Sequence, residues 1–145
     1  MRVLFYQLSR DRAETLLPKL APRVLAEGER LLVVAAAEGQ RRAIGEALWS
    51  AAPESFLANG EAAAPHADRQ PILLSEDVAP VNGATALAIA DGQWREPGAQ
   101  FTRVFFLFDD ATIEAARRVW VDVRGREGVD KEFWKQDAGK WVRAG

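Results

Sequence analysis

The sequence predicts an α/β fold, a three-layer α/β/α sandwich around a mostly parallel, Rossmann-like central sheet. Short runs that are apolar on both faces recur along the chain: "RVLFYQL" (2–8), "RLLVVAAA" (30–37), "PILLSE" (71–76), "TALAIAD" (85–91) and "RVFFLFDD" (103–110). Strands covered on both sides by helices read this way. Between and after them stand stretches of helical spacing, joined by short turns. No repeat or linker divides the 145 residues, so one domain spanning 1–145 is expected.

The elements follow in order. After the strand 2–8, residues 12–27 place Ala13, Leu16, Leu17, Leu20 and Val24 on one helical face. With Thr15 as its cap, Pro18 would fall in the first turn, and Pro22 is expected to kink the helix. Gly28 ends it, and 30–37 returns as a strand. This β-α-β unit has short connections, so its two strands are predicted to be parallel neighbours. A second helix, 39–50, would bury Ala43, Ile44, Ala47 and Leu48. Residues 58–70, "ANGEAAAPHADRQ", read as a surface loop, and "GQWREPGAQ" (92–100) as another. A helix over 111–124 then aligns Ile113, Ala116, Val119 or Trp120, and Val123. Asp109 or Asp110 is expected to cap it, because a carboxylate there satisfies free N–H groups and meets the positive end of the helix dipole.

Such a sheet invites a nucleotide, yet the chain lacks the equipment. The turn after the first strand is "SRDRAE", without the glycines that let backbone approach a pyrophosphate. There is no phosphate-cradling G-x-x-x-x-G-K-[ST] and no G-x-S-x-G elbow. The chain has no cysteine, which excludes a thiol nucleophile or zinc–thiolate site, and its one histidine, His66, stands in a small-residue loop. Asp109 and Asp110 have no second acidic cluster to complete a metal site. No catalytic residue, cofactor or metal is therefore expected. No apolar run approaches a membrane span, and Arg10 and Asp11 interrupt the N-terminus before a signal core could form; a cytoplasmic protein without a membrane partner is expected.

The ending is unlike the rest. Residues 116–145 hold Trp120, Trp134 and Trp141, three of the five tryptophans, among eight Lys and Arg and five Asp and Glu. The whole chain is −2, so a basic, aromatic end stands on an acidic body. One reading is an ordinary amphipathic closing segment, with Trp134 and Trp141 packing it onto the body. Another is a docking surface for an acidic partner. A third is a stacking platform for single-stranded nucleic acid, which the acidic overall balance disfavours as a main role.

"FYQL", "EGERLLVV", "GEALWSAAPESFL", "FTRVFFLFDD" and "ARRVWVDVRGREG" occur in an order and spacing that resemble the chi subunit of bacterial DNA polymerase III holoenzyme, over nearly the full chain. The resemblance implies a non-catalytic accessory subunit of a DNA-directed DNA polymerase (nucleotidyltransferase) complex, acting in DNA replication. It implies a link from the clamp loader, through a small psi-type subunit, to the acidic, phenylalanine-ended C-terminal tail of single-stranded DNA-binding protein. Single-stranded DNA would thus be met indirectly. Carried over position by position, the tail site falls on Trp49, Arg117 and Trp120, with Arg118 and Arg124 as supporting cations. Trp120 stands where tyrosine is commoner, and Val121 where lysine is frequent. Phe56 is implied as a psi contact, although Ala58 and Asn59 replace the Pro and His often found after it. Were the tail site real, Trp49, Arg117 and Trp120 would converge in space.

Overall fold

The computed structural model describes residues 1–51 and 57–145. Along the chain run β1 (Arg2–Gln7), α1 (Ala13–Ala26), β2 (Leu31–Val34), α2 (Glu38–Ser50), β3 (Asn59–Glu61), β4 (Ile72–Ser75), β5 (Ala86–Ile89), β6 (Arg103–Phe108), α3 (Ile113–Arg124), β7 (Asp130–Asp137) and β8 (Lys140–Arg143). One eight-stranded sheet takes the order β3-β4-β2-β5-β6-β1-β7-β8. Every pairing is parallel except β7 with β8. All five predicted strands lie in it, and the mixed α/β sandwich is the fold observed.

The order corrects one expectation. β1 and β2 are parallel but not neighbours, because β5 and β6 stand between them. Short turns around α1 fix which face the crossover uses, not how many strands it passes over. β5 and β6, connected without a helix, fill the gap. β1 lies inside the sheet between β6 and β7, which is why Val3, Leu4, Phe5 and Tyr6 are all buried. β2, β4 and β5 are buried at every position.

Further differences are local. The 58–70 segment is not all loop: Asn59–Glu61 adds an outer parallel strand, and Ala67–Arg69 forms a 3₁₀ turn after His66, whose φ is 64°. α1 starts before Thr15, with Arg12 at its N-cap, so both prolines lie inside it. Pro22 does not end the helix. Its position is exposed, where water reaches the carbonyl that loses its N–H partner, while Leu16, Leu17, Leu20, Ala21 and Val24 bury the opposite stripe. In α2 only Ile44, Gly45 and Leu48 are fully buried; Ala43 and Ala47 are half-buried. Gly45 is where α2 meets the sheet, since a Cβ there would lie 3.0 Å from Asn59 Oδ1 and 3.2 Å from Leu74 Cδ1.

Strand alternation divides the core into two clusters, one on each face of the sheet. Leu4, Tyr6, Val33 and Leu107 face α1 and α2 with Leu17, Ile44 and Leu48. Val3, Phe5, Leu32, Phe106 and Phe108 face α3 with Ala116 and Val123. Among the described residues one face thus carries α1 and α2, and the other carries the twelve-residue α3, helped by the 92–100 loop, whose Trp94 meets Phe106 edge-on at 5.2 Å.

Candidate functional site

The start of α3 is fixed by a tight turn. Asp109 Oδ1 accepts from the backbone N–H of Thr112 at 3.2 Å and from its hydroxyl at 3.1 Å, while Thr112 Oγ1 accepts from the Asp109 N–H at 3.0 Å. The carboxylate therefore closes the approach to the helix, which begins at Ile113 and not at Ala111. Thr112 also packs on Gly92, where a Cβ would fall 2.4 Å from its Oγ1 and φ is +71°. At the other end Arg126 is held by Glu96, through bonds of 2.8 and 2.7 Å, and by Asp122. These bonds from Arg126, with a further one from the Trp94 indole N–H, lower the Glu96 carboxyl to a pKa of about 2.

Between the helix so placed and β7 lies a largely apolar groove of about 510 Å³, lined by Phe108, Ile113, Ala116, Arg117, Trp120, Val121 and Phe133, with Gln7, Ala144 and Gly145 closing its far side. Trp120 is its fixed wall, edge-on to Phe5 at 5.0 Å and to Phe133 at 5.8 Å. Val121 is 56% exposed and extends the apolar lip. Arg117 and Trp120, three residues apart, share this face as helical spacing requires, and the Arg117 guanidinium bonds Glu114 at 2.8 Å. The Lys131 ammonium stands 4.7 Å from the centre of the Trp120 ring. A slot of this kind offers an aromatic side chain a dry contact and a carboxylate a cation at the rim.

The convergence expected of Trp49 is corrected here. Trp49 is on α2, which covers the α1 side of the sheet, and does not line the groove beside α3. It is 46% exposed and borders a smaller cavity of about 280 Å³ with Arg41, Arg42, Gly45, Asn59 and Glu61, at the β3 edge. Arg118 and Arg124 are exposed and line neither cavity. Phe56 lies outside the described residues.

The late tryptophans divide. Trp134 stacks on Tyr6 at 6.3 Å and Trp141 meets it edge-on at 5.3 Å, both on the α1 side. They pack the hairpin onto the body, as the amphipathic reading expects, and the Trp141 indole nitrogen is buried without a partner among the described residues. Missed in the sequence were Phe133 and Lys131, which face α3 because β7 pairs with β1 in the register Val3↔Lys131 and Phe5↔Phe133. Alternation in "DKEFWKQD" was the available signal, masked by its charges.

No curated protein matches the chain. The family model of the DNA polymerase III chi subunit, HolC, matches residues 1–130, which take in the sheet from β1 to β6, all three helices and the α3 wall of the groove. A match over that much of the chain, on the α/β fold just described, makes this protein a member of the DNA polymerase III chi subunit family.

Proposed function

We propose that this chain is the adaptor of its replicase, with the α3 groove receiving the acidic, phenylalanine-ended tail of single-stranded DNA-binding protein. One observation carries the reading: an open apolar slot walled by Trp120, Phe133 and Val121 has Arg117 at its rim. A terminal aromatic ring fills the slot, and Arg117 turns from Glu114 to the carboxylate, whose two oxygens match a guanidinium fork. A rim ion pair is worth only about 1 kcal/mol and is screened by salt, so the slot supplies most of the affinity. A dissociation constant on the order of 10 μM is expected.

Trp49 belongs to a second surface. It is exposed on the other side of the sheet and directly precedes the segment that carries Phe56, so it serves the psi-type partner that links the chain to the clamp loader. Two partners on opposite faces can be held at once, which an adaptor requires.

The test is calorimetric titration with an acidic phenylalanine-ended peptide and, separately, with an oligo-dT of equal charge. Saturable peptide binding that weakens about fivefold in Arg117→Ala is the expected result. Tight oligo-dT binding with no peptide binding would reverse the reading in favour of a nucleic-acid platform.

A further inference from the structure

Among the described residues Arg117 is the one cation that lines the groove, but the cations packed around α3 and β7 differ in how they are compensated. Arg117 bonds Glu114, and Arg126 is held between Glu96 and Asp122. Lys131 has no carboxylate within 4.0 Å among the described residues; its ammonium rests instead on the Trp120 ring, at 4.7 Å. A ring holds a cation in place through its quadrupole without cancelling the charge. An incoming carboxylate meets that charge without first breaking an ion pair, whereas at Arg117 it must displace Glu114.

The position of Lys131 is set by the sheet. β7 is parallel to β1, and alternation puts Lys131 and Phe133 on the α3 side while Glu132 turns away to bond Arg2. The ammonium is therefore anchored on a strand, two residues from one wall of the groove and in contact with another. Residue 131 also lies just past the part of the chain that the family model matches, so nothing in that match assigns it a role.

We propose that Lys131, which does not itself line the groove but rests on its Trp120 wall, is a specificity-determining residue, supplying an uncompensated positive charge that selects a partner whose apolar end is flanked by carboxylates. This rests on the tail-binding reading above and adds to it the residue that selects for acidity.

The experiment titrates two peptides of one sequence, the acidic phenylalanine-ended form and a neutral form with Asn for each Asp and a terminal amide. Wild type, Lys131→Met, Lys131→Arg and Arg117→Ala are compared at low and high salt. Met keeps an unbranched stem over Trp120, and matching unfolding curves check the fold; Lys131→Gln replaces it if Met perturbs packing. For the acidic peptide, Lys131→Met should bind about fivefold more weakly than wild type with a flatter salt dependence, and Lys131→Arg about as well as wild type. The neutral peptide should not distinguish Lys131→Met from wild type, a result that a purely structural role for Lys131 would not give. If Lys131→Met binds the acidic peptide as wild type does while Arg117→Ala is weakened, the groove reading stands and Lys131 is idle. If wild type binds neither peptide, the tail-binding reading and the role of Lys131 fall together.

Discussion

The two faces of the sheet are finished differently, and the difference locates the groove. On one face α1 and α2 lie side by side, and Trp134 and Trp141 close the remaining space over Tyr6. On the other, α3 is the one α-helix among the described residues that covers Phe5, Phe106, Phe108 and Phe133, with Trp94 of the 92–100 loop beside it, and this cover leaves Trp120 and Phe133 half-buried at an open slot. The same residue type is thus a lid on one side and the wall of an open groove on the other. What decides is the number of helices per face, since one helix about 10 Å across cannot seal a sheet of eight strands.

The largest expected effect is on the sparsely covered face. Trp120→Ala removes the ring that touches Phe5 and Phe133, so it should lower unfolding stability by about 2–4 kcal/mol in denaturant melts and abolish peptide binding. A stability loss below about 1 kcal/mol would mean that the slot wall carries little of the core on that side.

Next is a contrast in acid. The Glu96–Arg126 pair braces α3, and the Glu96 carboxyl falls from its ordinary 4.5 to about 2. Its stabilisation is complete above the ordinary value and is lost as pH falls from there through about 2. In Glu96→Gln the stability curve should be flatter over that window, measured as melting temperature against pH. The Glu96 side chain is 60% exposed, so solvent screening keeps the effect modest. An unchanged curve would show that the brace does not hold in solution.

A smaller change is expected from Trp49→Ala. At 46% exposure Trp49 should alter stability by no more than about 1 kcal/mol and leave the tail peptide's affinity as in wild type, while weakening capture of the psi-type partner. Loss of peptide binding in this variant would join the two surfaces that the fold separates.

Smallest of all is Trp141→Phe. It deletes a buried N–H that has no partner among the described residues and keeps most of the ring, so unfolding stability should stay within about 1 kcal/mol of wild type. A large loss would show that the indole nitrogen bonds a water or a group that the contact pattern does not reveal.

Much of the molecule was legible in the residues. Runs such as "RLLVVAAA" and "RVFFLFDD", short, apolar on both faces and bounded by turn residues, read as strands covered on both sides, and the 3.6-residue spacing of Leu16, Leu17, Leu20 and Val24 defines α1 through its two prolines. Arg117 and Trp120 share a face because three residues separate them on one helix. These are local facts, fixed by backbone geometry within a turn or a strand. Three things depended on the tertiary structure: the insertion of β5 and β6 between β1 and β2, the joining of β7 to β1, and the placement of Trp49 on the opposite side from Trp120. Which strand a segment pairs with, and which face a helix covers, are settled by competition among distant apolar surfaces for the same partners. No spacing along the chain records that outcome, so residues alone could suggest Trp49 beside Arg117, and only the sheet between them keeps the two apart.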